Sequence, residues 1–289
     1  MLTKSFLYIV NHSPKLRTFM FRGLFELLAR RYRHLTKWTY MNYGYAEGAG
    51  AGHTIALKPH DEDERYCHQL YFRAVNGIEL AGKDVVEVSC GRGGGAAFIN
   101  RYLQPRTMSG VDIAAAAIAF CKRVHRAPGL RFLQGAAEAL PLQNETADAV
   151  INVEASLCYA DRDRFYSEVH RVLRPGGYFL YADLQSPDAI EGLLSTLRRI
   201  GFELLQADDI TANVSRALEL DAERRSEYAR AHAPRVFRHA MRTFGGAPGT
   251  RIPTALSDGT MRYCCLTLRK HDAEKREEAA TRRLDAELA

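Results

Sequence analysis

The feature that most constrains the fold is a β-branched run that ends in a cluster of glycines and passes directly into a helical pattern. Residues 85–95 read VVEVSCGRGGG, and the helical pattern covers 96–103. This order predicts a strand, a tight turn and a helix. Glycine lets the backbone approach a ligand closely, and the start of a helix offers free N–H groups. The sequence therefore predicts a nucleotide-binding turn.

The same alternation of strand and helix patterns continues through most of the chain. Strands are predicted over 84–89, 108–112, 130–134, 147–153 and 177–183, and helices over 96–103, 114–125, 161–173 and 188–200. Two further strands, over 203–207 and 261–269, enclose a helix-rich insertion over 210–244. Strands that alternate with helices indicate a parallel sheet with crossover helices. We therefore expect an α/β fold with a doubly wound, Rossmann-like sheet of seven strands.

The net positive charge of the chain comes from its N-terminal segment. The 289 residues carry a net charge of +6, but residues 1–38 contain eight basic residues and one acid, whereas the rest contains 32 basic and 33 acidic residues. Apolar residues in this segment recur at helical spacing, with most of the basic residues opposite. Two interpretations stay open: a helix packed on the domain, or a basic amphipathic helix that contacts an anionic membrane or covers an apolar substrate.

Several classes of protein are not expected from this sequence. No apolar run is long enough for a transmembrane helix. The apolar run 6–10 is too short for a secretory signal and no cleavage site follows it, which predicts a cytoplasmic protein. The six cysteines have no CxxC spacing and no grouping with histidine, so neither a metal site nor a disulfide framework is predicted.

The residues around the glycine cluster argue against a nicotinamide dinucleotide. A dinucleotide-binding turn has the register GxGxxG, whereas here the acid Glu87 precedes Ser89 and the glycines fall at 91 and 93. Glu87 can accept a hydrogen bond from an amino group. Asp112 ends the next predicted strand, where a carboxylate can bind two ribose hydroxyls. The simpler alternatives are a buried structural acid for Glu87 and a helix cap for Asp112.

Taken together, the motifs resemble the class I S-adenosylmethionine-dependent methyltransferases. The matching segments are VVEVSCGRGG, GVDI, GAAEALP, ADAVINVEAS and VHRVLRPGG, in the order and spacing of that family. Four segments, EVSCGRGGGA, CKRVHRAPGL, NVEASLCY and VLRPGGYFLYADL, most resemble the mycobacterial phthiotriol/phenolphthiotriol dimycocerosates methyltransferases and related polyketide O-methyltransferases. The resemblance covers roughly residues 40–270. It implies S-adenosylmethionine as the cofactor and implies no metal.

The resemblance also implies roles for individual residues. Glu87 faces the methionine amino group, the loop 89–93 surrounds the methionine carboxylate, and Asp112 binds the ribose with Ile113 beside the adenine. The motif MNYGY at 41–45 resembles the aromatic motif that covers the cofactor in this family. The full implied cofactor-binding set is Tyr43, Gln69, Tyr71, Glu87, Ser89, Cys90, Gly91, Gly93, Asp112, Ile113, Ala136, Ala137, Glu138, Asn152 and Val153.

Departures from the family pattern bear on the expected chemistry. Ala136 stands where many relatives have an acid for the adenine amino group, and Leu157 and Phe72 replace two histidines. Methylation of an aliphatic alcohol requires that a base remove the hydroxyl proton. The remaining candidates for the catalytic base are His68, Glu154 and Tyr159. We favour His68 because it is the histidine of the RYCHQLYF helix beside the expected lid.

The resemblance divides the chain into three parts. Residues 1–40 are expected to form a basic amphipathic helical lid, residues 41–270 the methyltransferase domain with a helical insertion before its last strand, and residues 271–289 a charged tail that is an exposed helix or disordered. Residues 1–38 either cover an apolar acceptor or contact a membrane as a peripheral segment. The sequence does not indicate an oligomeric state.

The expected function is O-methylation of a hydroxyl group of a polyketide, lipid or other secondary metabolite. Methylation of carbon stays open, as does a relative that retains the cofactor pocket but catalyses a non-methylating reaction or acts as a binding partner. A nucleic-acid substrate is not expected. Its usual signature after the fourth strand, an Asn/Asp-Pro-Pro-aromatic run, is absent, and NVEASLCY stands there instead.

Overall fold

A computed structural model of the chain describes residues 14–48, 55–75, 77–232, 242–243 and 245–272, with side chains from residue 22 onward. The predicted tail beyond residue 272 and the first 13 residues lie outside these ranges. The α-helices are α1 (Pro14–Arg31), α2 (Arg65–Val75), α3 (Gly94–Tyr102), α4 (Ala115–Val124), α5 (Arg162–Val172), α6 (Pro187–Ile200), α7 (Thr211–Leu220), α8 (Ala222–His232) and α9 (Arg251–Ser257). Short 3-10 helices span Pro59–Glu64 and Ser156–Cys158.

The described residues form one seven-stranded sheet. Its strands are β1 (Asp84–Val88), β2 (Thr107–Asp112), β3 (Leu130–Gln134), β4 (Ala147–Val153), β5 (Leu173–Gln185), β6 (Phe202–Asp209) and β7 (Arg262–Lys270). Their order is β3-β2-β1-β4-β5-β7-β6, and β7 runs antiparallel to both of its neighbours. The chain changes direction across the sheet between β1 and β4, which makes this the switch point of a doubly wound fold. The predicted fold class is therefore confirmed.

The largest departure from the predicted elements is at the start of β5. The prediction ends a helix at residue 173 and starts a strand at 177, with a turn between, whereas α5 ends at Val172 and Leu173 already pairs with Ala147. The pairing of β5 with β4 has an irregular register at the Arg-Pro-Gly-Gly stretch. Within this stretch, Gly176 has a φ of 76°. A left-handed residue of this kind suits glycine, so the stretch interrupts the pairing without ending the strand.

Two apolar cores hold the sheet between layers of helices. One face packs Leu70 of α2 and Phe98 of α3 against the sheet, and the other packs Phe165 of α5 and Leu197 of α6 against it. Phe179 of β5 is fully buried in the second core. Burial of apolar surface stabilises this arrangement and fixes where the strands end.

Helix α1 packs on the domain through one side of its surface. Ala29 is buried against Ala114 and Ala117 at the start of α4, and the backbone N–H of Ala116 donates to Glu26 at 3.1 Å. Leu24 and Leu27 are exposed. Part of the apolar surface of the N-terminal helix is therefore packed on the domain, and part of it is exposed. Of the described helices, none is both long and apolar enough to cross a membrane.

Replacement of Phe179 by alanine tests the second core. We expect the free energy of unfolding to fall by about 3–5 kcal/mol, because the substitution leaves a cavity in a closely packed region. Chemical denaturation measures it. The matched control is Leu205→Ala in β6, since Leu205 is 43% exposed and its loss should change stability by only about 0.5 kcal/mol. Similar losses in the two variants would contradict this account of the core.

Candidate active site

The carboxyl ends of the parallel strands meet at one edge of the sheet and surround a cavity. Ligands of doubly wound sheets bind at this edge, beside the switch point. The residues that β1 to β5 and their following loops contribute to the cavity wall are Ser89, Cys90, Gly91, Arg92, Asp112, Ile113, Ala137, Glu138, Val153, Glu154, Ala155, Leu157, Cys158, Tyr159, Asp183 and Leu184. We therefore take this cavity as the candidate active site.

The N-terminal part of the chain contributes another portion of the cavity wall. Residues 32–43, the strap segment, follow α1 and form neither helix nor strand. The wall residues from this part and from α9 are mostly apolar or aromatic: Arg22, Phe25, Leu28, Ala29, Trp38, Thr39, Tyr40, Met41, Asn42, Tyr43 and Ile252. The cavity thus combines acidic and loop residues from the strand ends with a more apolar cover.

The loop after β1 turns sharply and lets two other segments come close. Ser89 and Gly91 have φ values of 61° and 54°, in the left-handed region. A Cβ atom at Gly91 would lie 2.7 Å from Cε of Met41, and one at Gly95 would lie 2.1 Å from the Tyr71 ring. Larger residues at these glycine positions would therefore collide with the strap segment or with Tyr71.

Glu87 lies within β1 and is almost completely buried. The hydroxyl of Tyr71, a residue of the cavity wall, donates to Oε1 of Glu87 at 2.5 Å, whereas Oε2 has no hydrogen-bond partner among the described residues. Burial raises the pKa of Glu87 to about 8. A buried acceptor atom without a partner is a site that a ligand amino group can satisfy.

Asp112 lies on the cavity wall at the end of β2. Its Oδ2 accepts from the N–H of Gly91 at 2.9 Å, and its Oδ1 accepts from the N–H of Ala114 at 2.8 Å. Burial raises the pKa of Asp112 to about 6. Asp112 therefore fixes the glycine loop and the turn before α4, but it does not cap the helix, whose N-cap residue is Ala114. Each carboxylate oxygen has a second acceptor position, so these contacts still permit ribose binding.

Tyr159, a candidate base, has a hydroxyl group held between two side chains. It lies 2.7 Å from Oγ of Ser89 and accepts from Nδ2 of Asn152 at 2.8 Å. Asn152 also donates to the carbonyl of Val88 at 3.0 Å. Burial raises the pKa of Tyr159 well above its ordinary value. These contacts hold Ser89 in its left-handed conformation and occupy the tyrosine hydroxyl.

Glu154, the second candidate base, follows β4 and lies on the cavity wall. Its Oε1 accepts from the backbone N–H of Tyr43 at 2.8 Å and from the hydroxyl of Tyr263 at 2.9 Å. Burial, with a smaller contribution from the charge of Asp183, raises the pKa of Glu154 to about 8. Glu154 therefore ties the strap segment to the sheet and offers the cavity a carboxyl group that can take up a proton near neutral pH.

A further carboxyl group on the wall, Asp183, was not identified from the sequence. Its Oδ2 accepts from the N–H and the hydroxyl of Ser156, at 2.8 and 2.7 Å, and burial raises its pKa to about 6. These bonds fix the 3-10 helix that carries Leu157 onto the wall. Asp183 is the last residue of a predicted strand, so the shared edge of the strand ends could have identified it.

His68, the candidate base that the sequence favoured, lies on a second cavity, which shares residues 38–42 of the strap segment with the first. Its Nδ1 lies 2.8 Å from the hydroxyl of Tyr40, which itself donates to the carbonyl of Gly94 at 2.7 Å. Nδ1 is therefore the donor in this pair. Burial lowers the pKa of His68 to about 4, so the ring is neutral near pH 7.

The structure brings most of the predicted cofactor residues to the first cavity. Ten lie on its wall: Tyr43, Tyr71, Ser89, Cys90, Gly91, Asp112, Ile113, Ala137, Glu138 and Val153. Five do not: Gln69, Glu87, Gly93, Ala136 and Asn152. Glu138, which could replace the missing adenine acid, accepts from the N–H of Ala160 at 3.0 Å. Of the strap residues on the wall, Trp38, Thr39 and Tyr40 were not identified from the sequence. Arg92 falls within the predicted loop 89–93, but no role was predicted for its side chain.

The donors and acceptors at this site fit S-adenosylmethionine. The unpartnered Oε2 of Glu87, behind the wall residue Tyr71, suits an amino group, and the carboxylate of Asp112 suits hydroxyl groups. Within the part of the chain that the structure describes, no group of three or more His, Cys, Asp or Glu residues is placed to hold a metal ion.

Comparison with known proteins identifies the family. Residues 86–181 match the family model described as a methyltransferase domain. The chain is 40% identical over 224 residues to the phthiotriol/phenolphthiotriol dimycocerosates methyltransferase of Mycobacterium tuberculosis, which covers 78% of this chain and 82% of that protein. It is 38% identical over 224 residues to the fatty-acid O-methyltransferase of Mycolicibacterium smegmatis, which covers 78% of this chain and 80% of that protein.

The solved structures add evidence on the fold. The cyclase SpnF is similar with a TM-score of 0.68 and 20% sequence identity, over 87% of this chain and 95% of that chain. At this identity the similarity concerns the fold alone. The two sequence relatives, in contrast, align over most of this chain and over most of their own length. The chain therefore belongs to the S-adenosylmethionine-dependent methyltransferases, in the family of the phthiotriol/phenolphthiotriol dimycocerosates methyltransferases.

Proposed function

We propose that the chain methylates a hydroxyl oxygen of a neutral, largely apolar small molecule and that Glu154 accepts the hydroxyl proton. The observation that carries this proposal is the enclosed carboxyl group of Glu154 on the wall of a cavity whose cover is largely apolar and aromatic. A base with a pKa near the working pH exists partly as carboxylate and still binds a proton well. Glu154 has both properties.

Glu154 is the strongest of the three candidate bases. His68 has a lowered pKa, lies on the second cavity and donates through Nδ1 to Tyr40. Tyr159 has a pKa well above its ordinary value, and its hydroxyl is engaged with Ser89 and Asn152. Leu157, which replaces a family histidine, is on the same wall as Glu154 and cannot accept a proton. The proposal therefore gives Glu154 the role that a histidine has in relatives.

The charges on the wall favour a hydroxyl acceptor over a carboxylate. Asp183, and Glu154 in its ionised form, would repel a carboxylate on the acceptor. Of the two arginines on the wall, Arg22 is exposed, and Arg92 donates to main-chain carbonyls of the strap segment. The relatives leave the acceptor open, since one is named for fatty acids and another for phthiotriol compounds. Apolar residues such as Phe25 and Leu28 suit the hydrocarbon part of either molecule.

Positioning and proton removal are the contributions of the protein to the reaction. S-adenosylmethionine supplies a methyl group that its positive sulfur already activates. With this cofactor bound, the acceptor oxygen would form a bond to the methyl carbon, and the carbon–sulfur bond would break with its electron pair on sulfur. Glu154 takes the hydroxyl proton on a carboxylate oxygen and releases it to solvent before the next turnover. A positioned base of this kind contributes about 10²–10⁴ in rate.

The pH dependence of turnover tests the base. Because Glu154 has a pKa of about 8 and must be ionised to accept a proton, kcat/KM should rise roughly tenfold per pH unit below pH 8 and level off above it. Glu154→Gln keeps an acceptor oxygen for Tyr43 and Tyr263. It should lower turnover at pH 9 by about 100-fold, abolish the rise, and leave affinity for S-adenosylhomocysteine within about threefold.

The control variant for this test is His68→Gln. We expect turnover within about threefold of the unmodified protein, with the same rise in kcat/KM, since His68 packs behind Tyr40 and does not lie on the first cavity. If kcat/KM no longer rose with pH in His68→Gln but still rose in Glu154→Gln, the catalytic base would be His68 and not Glu154.

Substitution of Asp112 tests the proposed position of the cofactor. Its removal should weaken binding of S-adenosylhomocysteine by about 1.5–3 kcal/mol, the value of hydrogen bonds to a charged group. Asp112→Asn keeps one acceptor oxygen and should lose less affinity than Asp112→Ala. Calorimetry on variants with unchanged circular dichroism makes the comparison. Equal affinity in all three proteins would leave Asp112 only its contacts to the backbone N–H groups of Gly91 and Ala114.

The acceptor class can be tested with matched substrates. A labelled methyl group from S-adenosylmethionine should appear on a long-chain secondary alcohol at least tenfold faster than on the fatty acid of equal chain length. The reason is that a second carboxylate would meet Glu154 and Asp183. Faster labelling of the fatty acid would contradict the neutral acceptor. Labelling on a carbon atom of either compound would exclude the hydroxyl as the acceptor.

A further inference from the structure

The side chain of Arg92, in the glycine-rich loop, reaches the strap segment. Its Nη2 donates to the carbonyl of Leu35 at 2.8 Å and to that of Tyr32 at 3.2 Å, and its Nε donates to the carbonyl of Trp38. Residue 92 is only 3% exposed. A guanidinium group presents its donors in a rigid fork, so one side chain can bind three carbonyls that lie along a turning segment.

Aromatic rings enclose the same guanidinium group. Its central carbon lies 3.8 Å from the centroid of the Phe120 ring and 5.0 Å from that of the Trp38 ring. Trp38 also packs against Tyr228, with ring centroids 5.9 Å apart. Cations and aromatic faces attract one another, and the attraction grows when water is excluded. Arg92 therefore links α4 and the first half of the strap segment to the loop that follows β1.

The second half of the strap segment contacts Glu154, the proposed catalytic base. The N–H of Gly94 donates to the carbonyl of Thr39 at 3.3 Å, and the hydroxyl of Tyr40 donates to the carbonyl of Gly94 at 2.7 Å. The N–H of Tyr43, four residues after Thr39, donates to Glu154 at 2.8 Å. Arg92 thus holds the strap segment at one end, and Glu154 holds it at the other.

We propose that Arg92 is a positioning residue for methyl transfer, which fastens the strap segment to the cofactor loop. While it is fastened, the strap is an ordered wall of the cavity, and the N–H of Tyr43 stays on Glu154. A protein without this contact must order the strap when the cofactor binds, and that cost weakens binding. The inference rests on the cofactor position proposed above and requires no particular methyl acceptor.

Trp38 makes the contact measurable, because it is the single tryptophan of the chain. We expect Arg92→Ala to shift the Trp38 emission to longer wavelength, since the indole loses the guanidinium that covers it. Affinity for S-adenosylhomocysteine, measured by calorimetry, should fall at least tenfold. Arg92→Lys keeps the charge but has no fork, so it should give a smaller shift and a smaller loss of affinity.

The matched control is Arg174→Lys at the start of β5. Arg174 also uses its fork, with Nη2 on Asp84 at 3.0 Å and Nη1 on Asp148 at 2.9 Å, and it lies at the opposite edge of the sheet from the cavity. This control should lower the melting temperature without changing Trp38 emission or affinity for S-adenosylhomocysteine. Neither Trp38 emission nor affinity for S-adenosylhomocysteine requires a methyl acceptor. Both measurements therefore stay valid if the protein methylates no hydroxyl compound.

Two outcomes would overturn the role of Arg92. The first is a folded Arg92→Ala protein whose emission and affinity equal those of the unmodified protein, even if its melting temperature is lower. The second applies if Arg92→Ala does not fold. In that case Arg92→Lys decides alone, and unchanged emission and affinity in this variant would show that the three carbonyl contacts do not hold the strap segment for the cofactor.

Discussion

The parallel pairing of β1 with β2 and β4, and of β4 with β5, is the constraint on which the rest of the site depends. Parallel strands that share a sheet end at the same edge. Residues far apart in the chain, such as Asp112, Glu154 and Asp183, therefore meet around one cavity. The two apolar cores fix the strands, and the loops at this edge are left to carry the chemistry.

The acidic residues at this edge share one electrostatic property. Burial raises the pKa of Glu87 and Glu154 to about 8, and that of Asp112 and Asp183 to about 6. A group of buried acids favours a ligand that carries positive charge, because the ligand restores the ionised forms that burial disfavours. The sulfonium and amino groups of S-adenosylmethionine meet this requirement. A neutral acceptor adds no negative charge beside these acids, whereas an anionic acceptor does.

The sequence predicts the order of the sheet elements well because most strands are short apolar runs, whereas the start of β5 is hidden by its Arg-Pro-Gly-Gly stretch. It also identifies Glu87, Asp112 and Glu154, since acids at strand ends stand out from their surroundings. As the base, the sequence favours His68, whereas we propose Glu154 from the structure. That choice depends on which cavity each side chain lies on and on hydrogen bonds to Tyr40 and Tyr43, residues distant in sequence. For the same reason the sequence does not reveal that a loop arginine reaches the strap segment.

The most direct test of the account is a crystal structure with S-adenosylhomocysteine and a long-chain alcohol bound together. The account predicts that the alcohol oxygen lies within hydrogen-bond distance of a carboxylate oxygen of Glu154, with the hydrocarbon chain among Phe25 and Leu28. Contact of the alcohol oxygen with His68, or with no group able to accept its proton, would contradict it.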